Sequence, residues 1–466
     1  MGKFIVIGGG PVGCLAALHL AKQGHTITIY EGRSEIPNDP SQSYPIGANP
    51  RGLHAIEVVA PDVAARIRTD GRLIDAWEIY AGSRRVAKQA SGVVVGTSRG
   101  SVNLHLWAAC AREPSITLAM NHRLRSMDFT AQTLEFDVGA TSVTIGASDA
   151  RVIGADGVHS TVRRLVAASD ATFEATVTPW VNEYRVLFGS VGHVTAALDP
   201  AVHYIFSGGY TATIDRADGQ LQWTLVTTVR ESDDDASASQ LVRETDASPA
   251  NIARLKGWIN RLAPAFAPLV PDAEYAAYFT RRTYRGAVVE CNRFHSQDNW
   301  VVLVGDAAHS VLPPTGEGIN SGLEDCLVLA TCVALAPCDE AWSRFTTRRQ
   351  PDIHALQVYA THLNTAPSFA GERIARVLFL IAEGATNASI GHNLFGPDGA
   401  KRQPYKRIVD VWAWKRLVWL NLARLVTYPI AAIVALLTLP ISLVTRKEST
   451  RRRRQTQTPA LERGVV

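Results

Sequence analysis

Cysteine is scarce, with six in 466 residues. Cys14, Cys110, Cys291, Cys326, Cys332 and Cys338 form no Cys-x-x-Cys pair, which excludes a secreted disulfide framework and fits a reducing compartment. The last three read as helix-core thiols. No metal-ligand spacing links the histidines, cysteines and acids, so no metal is expected. Excess charge of one sign is also lacking: the net charge is +4, and no basic and aromatic alternation forms a binding groove, so a nucleic-acid partner is not expected. Asp233-Asp234-Asp235 reads as a solvated loop, and no internal repeat is evident. The chain opens directly on an apolar strand, leaving no room for a signal peptide.

What is present is a chain 46% hydrophobic, able to bury large cores in two or three lobes. Its first segment runs from Phe4 to Ile7 as a strand, turns through Gly8, Gly10 and Gly13, and continues with a helical period through Leu15, Leu18 and Leu20. Gly8 permits the turn, Gly10 lets backbone approach a pyrophosphate, and Gly13 allows close packing of helix on strand. A second apolar run, Thr26 to Tyr30, ends at Glu31, about 20 residues on, where an acid would bind ribose hydroxyls. The pattern predicts a dinucleotide, either NAD or FAD. Two further segments favour FAD. Arg151 to Gly157 and Trp300 to His309 each run from a short strand into an aspartate, Asp156 and Asp306. Either aspartate alone reads equally as a helix cap or turn former; both, behind a dinucleotide turn, make coincidence a poor account.

With these motifs in view, the chain resembles the group A FAD-dependent aromatic hydroxylases, which share the hydroxybenzoate hydroxylase fold. Residues 305–326, Gly-Asp-Ala-Ala-His-Ser-Val-Leu-Pro-Pro-Thr-Gly-Glu-Gly-Ile-Asn-Ser-Gly-Leu-Glu-Asp-Cys, are similar to that family's flavin signature. Within the family, the kynurenine 3-monooxygenases are resembled most closely. Asn49 to Gly52, Ser98-Arg99, Val102 to Leu104, Met120 to Leu124, Arg349 to Ala355 and Trp412 to Lys415 look like segments of those enzymes, in order. The resemblance implies FAD contacts at Gly8, Gly10, Val12, Gly13, Glu31, Arg33, Arg99, Asp156, Gly305, Asp306, Gly318, Ile319 and Asn320. It also implies that Pro313, Pro314 and Gly316 border the flavin face where oxygen reacts, with no acid or base assigned. Arg99 has its own rationale, since a guanidinium pairs bidentately with phosphate; the alternative is a solvated surface arginine. NADPH or NADH would visit as reductant, and O2 would add one atom to an aromatic small molecule through a flavin C4a-hydroperoxide.

The departures concern substrate. Those enzymes hold a carboxylate with an arginine in the strand that here reads Leu73 to Tyr80, which contains none. Trp77 takes that place, with Asp75 on the same strand face by the two-residue repeat, which suggests a less anionic, amine-bearing or larger apolar substrate. Leu363 stands near a lost polar contact, with Asn364 adjacent, and Tyr405 matches a pocket tyrosine. A terpenoid or other apolar natural-product oxygenase, and a non-catalytic FAD-bound membrane protein, are the rival readings. A flavin halogenase is disfavoured because Trp412-Ala413-Trp414 continues as Lys-Arg-Leu.

The expected class is α/β: a Rossmann-type FAD/NAD(P)-binding domain with an inserted antiparallel substrate sheet and C-terminal helices. The expected boundaries are 1–180 and 285–365 for the FAD lobe and 181–284 for the sheet, whose strands are His203 to Phe206, Tyr210 to Ile214 and Gln220 to Val229. Helices follow over 366–424. An uncharged run within 425–445 is long enough to cross a hydrocarbon core of about 30 Å, although Pro429 and Pro440 also permit a bent interfacial segment. A basic tail, 446–466, is expected to be disordered. The protein is therefore expected to be membrane-associated, with its catalytic body in the cytoplasm.

Overall fold

Sixteen strands and ten helices alternate along the described residues of the computed structural model, which are 1–37, 45–192, 195–215, 220–364 and 390–422, with scattered positions in 372–379 and 424–433. The expected membrane segment lies almost wholly, and the tail 446–466 wholly, outside them. In chain order the strands are β1 (Lys3–Ile7), β2 (Thr26–Tyr30), β3 (Pro45–Ala48), β4 (Arg72–Ala81), β5 (Arg84–Ser98), β6 (Ile116–Ala119), β7 (His122–Asp128) and β8 (Thr133–Val138). They continue with β9 (Thr141–Gly146), β10 (Ala150–Gly154), β11 (Ala175–Val191), β12 (Val202–Phe206), β13 (Gly209–Asp215), β14 (Leu221–Val229), β15 (Tyr284–Cys291) and β16 (Val301–Leu303). The helices are α1 (Pro11–Lys22), α2 (Pro50–Glu57), α3 (Pro61–Asp70), α4 (Arg99–Arg112), α5 (Thr161–Ser169), α6 (Pro249–Leu262), α7 (Asp272–Thr280), α8 (Gly318–Leu335), α9 (Cys338–Asn364) and α10 (Ile390–Phe395).

The first sheet has the order β16-β10-β1-β2-β6 and is parallel throughout. Its strands are short apolar runs buried on both faces, as a helix-covered parallel sheet requires; Phe4 to Ile7, Val152, Ile153 and Val301 to Leu303 belong to one core with α1 and α8. This is the expected Rossmann-type domain. A small antiparallel sheet, β7-β8-β9, lies beside it in sequence.

The second sheet has eight strands in the order β15-β11-β14-β13-β12-β4-β5-β3. The three strands expected from sequence are β12, β13 and β14. The sheet extends beyond 181–284, however, because β4 joins β12 in a parallel pair and brings β3 and β5 with it. A parallel pair needs a long crossover and leaves no hairpin signal in the sequence. Alternation gives the sheet two faces. Leu187, Leu221, Trp223, Leu225 and Val229 form one core with residues of α6 and α7; Tyr184, Val186, Phe188 and Val226 pack with Leu312 on the other.

The described residues fall into two compact units, one within Met1–Thr365 and Gly384–Asp410, the other within Ala366–Glu383 and Val411–Val466. Inside the second, Glu372 accepts from Arg376 at 3.0 Å and Arg416 at 3.3 Å. Among the described residues one helix, α8, is long and apolar enough to cross a membrane, but half of it is buried and it supplies Leu323, Cys326 and Leu329 to the first core.

Candidate active site

The strand register brings the three glycine and aspartate segments to one edge of the first sheet. Gly8 N–H donates to Tyr30 O at 2.8 Å, Ala155 N–H to Ile7 O at 2.9 Å and Val304 N–H to Gly154 O at 3.0 Å. The turns after β1, β10 and β16 therefore stand side by side. Gly8 has φ +105°, and a Cβ on Gly13 would sit 2.0 Å from Gly8 O, while one on Gly10 would meet nothing within 4 Å. The turn is closed behind and open in front. No side chain caps α1, so its first amides and positive dipole end are available to an anion. Val12 touches the other turn: a Cβ on Gly305 would lie 3.2 Å from its methyls.

Glu31 accepts from Gly9 N–H at 2.8 Å and from the Arg33 guanidinium at 2.9 Å. Burial opposes its charge, but Arg33 and the two backbone amides hold its carboxyl below the ordinary range. Asp156 is committed to α5, accepting from Thr161 N–H at 2.7 Å, from Val162 N–H at 3.0 Å and from the hydroxyl of the capping Ser160. Asp306 differs. Among the described residues no hydrogen bond reaches its carboxylate. Burial raises its pKa, with Arg99, His309 and Arg163 pulling the other way. Arg99, exposed at the start of α4, therefore acts on Asp306 through its field. An unbonded carboxylate and an open Gly10 turn fit a polyhydroxylated diphosphate such as FAD.

Behind this edge lies a buried ionic network that the sequence reading did not single out. Asp325 accepts from Gly305 N–H at 2.9 Å, His309 Nε2 at 2.6 Å and Arg349 Nε at 2.7 Å. Burial opposes its charge, yet His309 and Arg349 keep its pKa low. Arg349 also binds Glu324 at 2.7 Å, which Arg51 holds from the other side. Arg163 ties the turns together, donating to Ala307 O at 2.8 Å and Val158 O at 2.7 Å. An acid at the start of the apolar run 319–335 was the available signal for Asp325.

Residues 313–318 form the loop that faces the second sheet. Pro313, Pro314 and Gly316 are exposed while Thr315 and Glu317 are buried; Gly316 has φ +66°. Gly318 and Ile319 are partly exposed at the start of α8. Asn320 is buried and clamps the loop, accepting from Asn49 N–H at 2.9 Å and donating to Gly47 O at 2.9 Å and Gly316 O at 3.1 Å. Glu317 accepts from Asn49 Nδ2 at 2.8 Å and Tyr405 Oη at 2.6 Å. Burial pushes its carboxyl up to about 7, against the pull of Tyr405, Arg51 and Asn49. Tyr405 is fully buried, with the Arg51 guanidinium 3.9 Å from its ring centre, so it stands behind the loop. The Asn49-Pro50 cap and first-turn pair of α2 was the legible signal for this cluster.

A model of the FAD binding domain family matches residues 2–345. The chain belongs to the FAD-binding-domain family. It is similar to kynurenine 3-monooxygenase of Neurospora crassa, 28% identical over 364 residues, 70% of this chain and 68% of that one. A second such relative, from Chaetomium globosum, is 26% identical over 402 residues, 76% and 81% of the two chains. Among solved structures, p-nitrophenol 4-monooxygenase from Pseudomonas putida matches with a TM-score of 0.63 at 19% identity, over 82% of this chain and 95% of that one. An oxygenase of 2-methyl-3-hydroxypyridine-5-carboxylic acid gives 0.62 at 17%, over 80% and 94%; at such identities these two show the fold. The chain is a FAD-dependent monooxygenase.

The second sheet carries Trp77 and Asp75, two of the residues that the sequence reading placed near substrate. Trp77 is partly buried on β4, its ring 5.9 Å from His203 and 5.2 Å from Phe395. Phe395 in turn lies 3.6 Å from where a Cβ on Gly316 would stand. Phe395, missed in the sequence, thus joins Trp77 to the loop. Asp75 is exposed, at a register shift between β4 and β5. Leu363 is 44% exposed in the last turn of α9. Among the described residues no cluster of His, Cys, Asp or Glu has the form of a metal site.

Proposed function

We propose that the chain, reduced by NADPH or NADH, transfers one oxygen atom of O2 to an aromatic small molecule lying between loop 313–318 and the Trp77 face of the second sheet. The observation that carries this reading is the continuous contact from Trp77 through Phe395 to Gly316, which joins the candidate substrate wall to the candidate flavin face. Bound FAD would supply reduction by the nicotinamide and activation of oxygen. The Gly8–Gly13 turn and the α1 amides would hold its pyrophosphate, Glu31 and Arg33 the adenosine ribose, and Arg99 and Asp306 the ribityl and phosphate region. The backbone at Gly318, Ile319 and Asn320 would lie beside the flavin ring, and Asp156 would act by fixing α5. Pro313, Pro314 and Gly316 would exclude water from the reacting face. Tyr405 would keep that loop in place through Glu317, and Leu363 would border the entrance. No side chain is assigned as general base. Kynurenine is expected to be a poor substrate, since Trp77 occupies the strand where an arginine would meet its carboxylate.

The division into a FAD lobe and a substrate sheet remains part of this reading, with the sheet widened by β3, β4 and β5, as does association with a membrane through the C-terminal segment, with the catalytic body on the cytoplasmic side. Support for the latter is the uncharged run 425–444 and the exposure of Trp414, Leu417, Leu422, Leu425 and Tyr428 just before and within it. The test is NADPH oxidation by purified holoenzyme with kynurenine, tryptophan-derived aromatics and apolar polycyclic compounds, with mass spectrometry for one added oxygen. Ring-stimulated oxidation with an oxygenated product is expected. Oxidation that no ring compound stimulates would sink the reading.

A further inference from the structure

A cavity of about 260 Å³ lies among the start of β11, the end of β15 and α9. None of the residues given a task in the reading above lines it. Two of its lining residues, Glu174 and Glu290, are exposed acids. The pairing of Ala175 with Cys291 and of Thr176 with Glu290 sets them diagonally on one face of the sheet, because side chains repeat every two residues. Neither carboxylate enters an ion pair among the described residues, and no lysine or arginine lines the cavity.

The interior offers acceptors as well. Gln357 is only 8% exposed, and its Nε2 donates to Val289 O at 2.8 Å and Ser310 O at 3.2 Å. Both amide hydrogens are thus spent, and its Oε1 has no partner among the described residues. Two helical turns earlier on α9, Gln350 repeats the arrangement, its Nε2 donating to Cys291 O at 3.2 Å and Asn292 O at 3.0 Å. His309, buried, commits Nε2 to Asp325 at 2.6 Å, which leaves Nδ1, an acceptor while the ring is neutral. Val289, Phe294 and Ile353 add hydrocarbon wall.

A buried acceptor left without a donor is costly, and like charges on neighbouring strand positions repel. One kind of ligand relieves both. An ammonium group brings three donors and no acceptor, and its charge is favoured beside two carboxylates. An anion would meet only acceptors and like charge. A bare metal ion is a poor fit, since among the described residues no group of His, Cys, Asp and Glu has the form of a metal site. The hydrocarbon wall calls for an organic body. The volume falls just below the roughly 300–1,000 Å³ of pockets for drug-sized molecules, so that body is compact.

We infer that this cavity is a binding site for a compact organic ammonium compound, held by Glu174 and Glu290 and by the carboxamide oxygens of Gln350 and Gln357. It is separate from the cleft that would hold the oxygenated ring and does not depend on the aromatic-hydroxylase reading.

The test is calorimetric titration of the FAD holoenzyme with 2-phenylethylamine, with 2-phenylethanol as its neutral counterpart and phenylacetate as the anion. Wild type should bind the amine about 10-fold more tightly than the alcohol, and phenylacetate most weakly. In the double variant Glu174→Gln, Glu290→Gln the amine should fall to within about 2-fold of the alcohol, while the alcohol stays within about 2-fold of wild type. Both substitutions are isosteric and exposed, so the fold is kept. Trp77→Ala, in the candidate substrate wall, should leave amine binding within about 2-fold. An amine bound no more tightly than the alcohol, a preference that survives the double substitution, or a preference lost in Trp77→Ala overturns the inference.

Discussion

Asp306 is the acid at the sheet edge whose carboxylate no hydrogen bond reaches among the described residues, whereas Asp156, in the matching position after β10, is used by α5. The two therefore predict different phenotypes. Asp306→Ala should leave the fold intact and lower the flavin-to-protein absorbance ratio of the purified enzyme at least several-fold; full yellow occupancy would count against its role. Asp156→Ala should instead cost roughly 1 kcal/mol of stability or more, because the Thr161 and Val162 amides lose their acceptor, read by denaturant unfolding. Glu317 predicts a pH effect. Its folded pKa of about 7 lies above the ordinary 4.5, so between those values the folded chain keeps a proton that the unfolded chain has released. That contribution is complete below the lower value and is lost as pH rises through the upper one. Relative to Glu317→Gln, which cannot titrate, wild-type Tm should fall between about pH 5 and about pH 8. A constant offset across that range would refute the raised pKa.

At the scale of elements, the strand-turn-helix units were legible because local chemistry dictates them: Gly8, Gly10 and Gly13 after an apolar strand admit few other readings. The strands around His203, Tyr210 and Leu221 were legible for the same reason, with Gly208-Gly209 and Asp218-Gly219 separating them in the sequence. The joining of β4 to β12 was not, since neither strand carries a mark of its partner. Nor was the network beneath the edge, because a sequence does not show that Asp325 on α8 and Arg349 on α9 meet at 2.7 Å. Phe395 escaped for a similar reason: α10 is six residues long, too short for a periodic signal. The network carries a sharp expectation. Asp325→Ala leaves Arg349 buried beside an empty place and frees the Gly305 amide, so it should destabilise the chain by roughly 3–5 kcal/mol, measured by urea unfolding. A loss below about 1 kcal/mol, the worth of an exposed pair, would show the network to be ornamental.

For the whole molecule, the candidate cofactor edge and the candidate substrate face are built from different sheets. A chain ending at residue 424 keeps every residue named in either. Such a variant should retain flavin and ring-stimulated NADPH oxidation while moving from the membrane pellet to the soluble fraction on cell fractionation. Unchanged partitioning would remove the uncharged run as the anchor. The parallel pairing of β4 with β12 has a temporal consequence as well. Between those strands the chain lays down α4, β10 and α5, so the Trp77 and His203 row forms only after about 120 residues of chain have been brought to order, and contacts of such long range are slow to close. The local hairpin of β4 and β5 is then the earlier structure to mature and its junction with β12 the later one. In pulse-labelled hydrogen exchange during refolding, amides bonded between β4 and β5 should gain protection before those of β12.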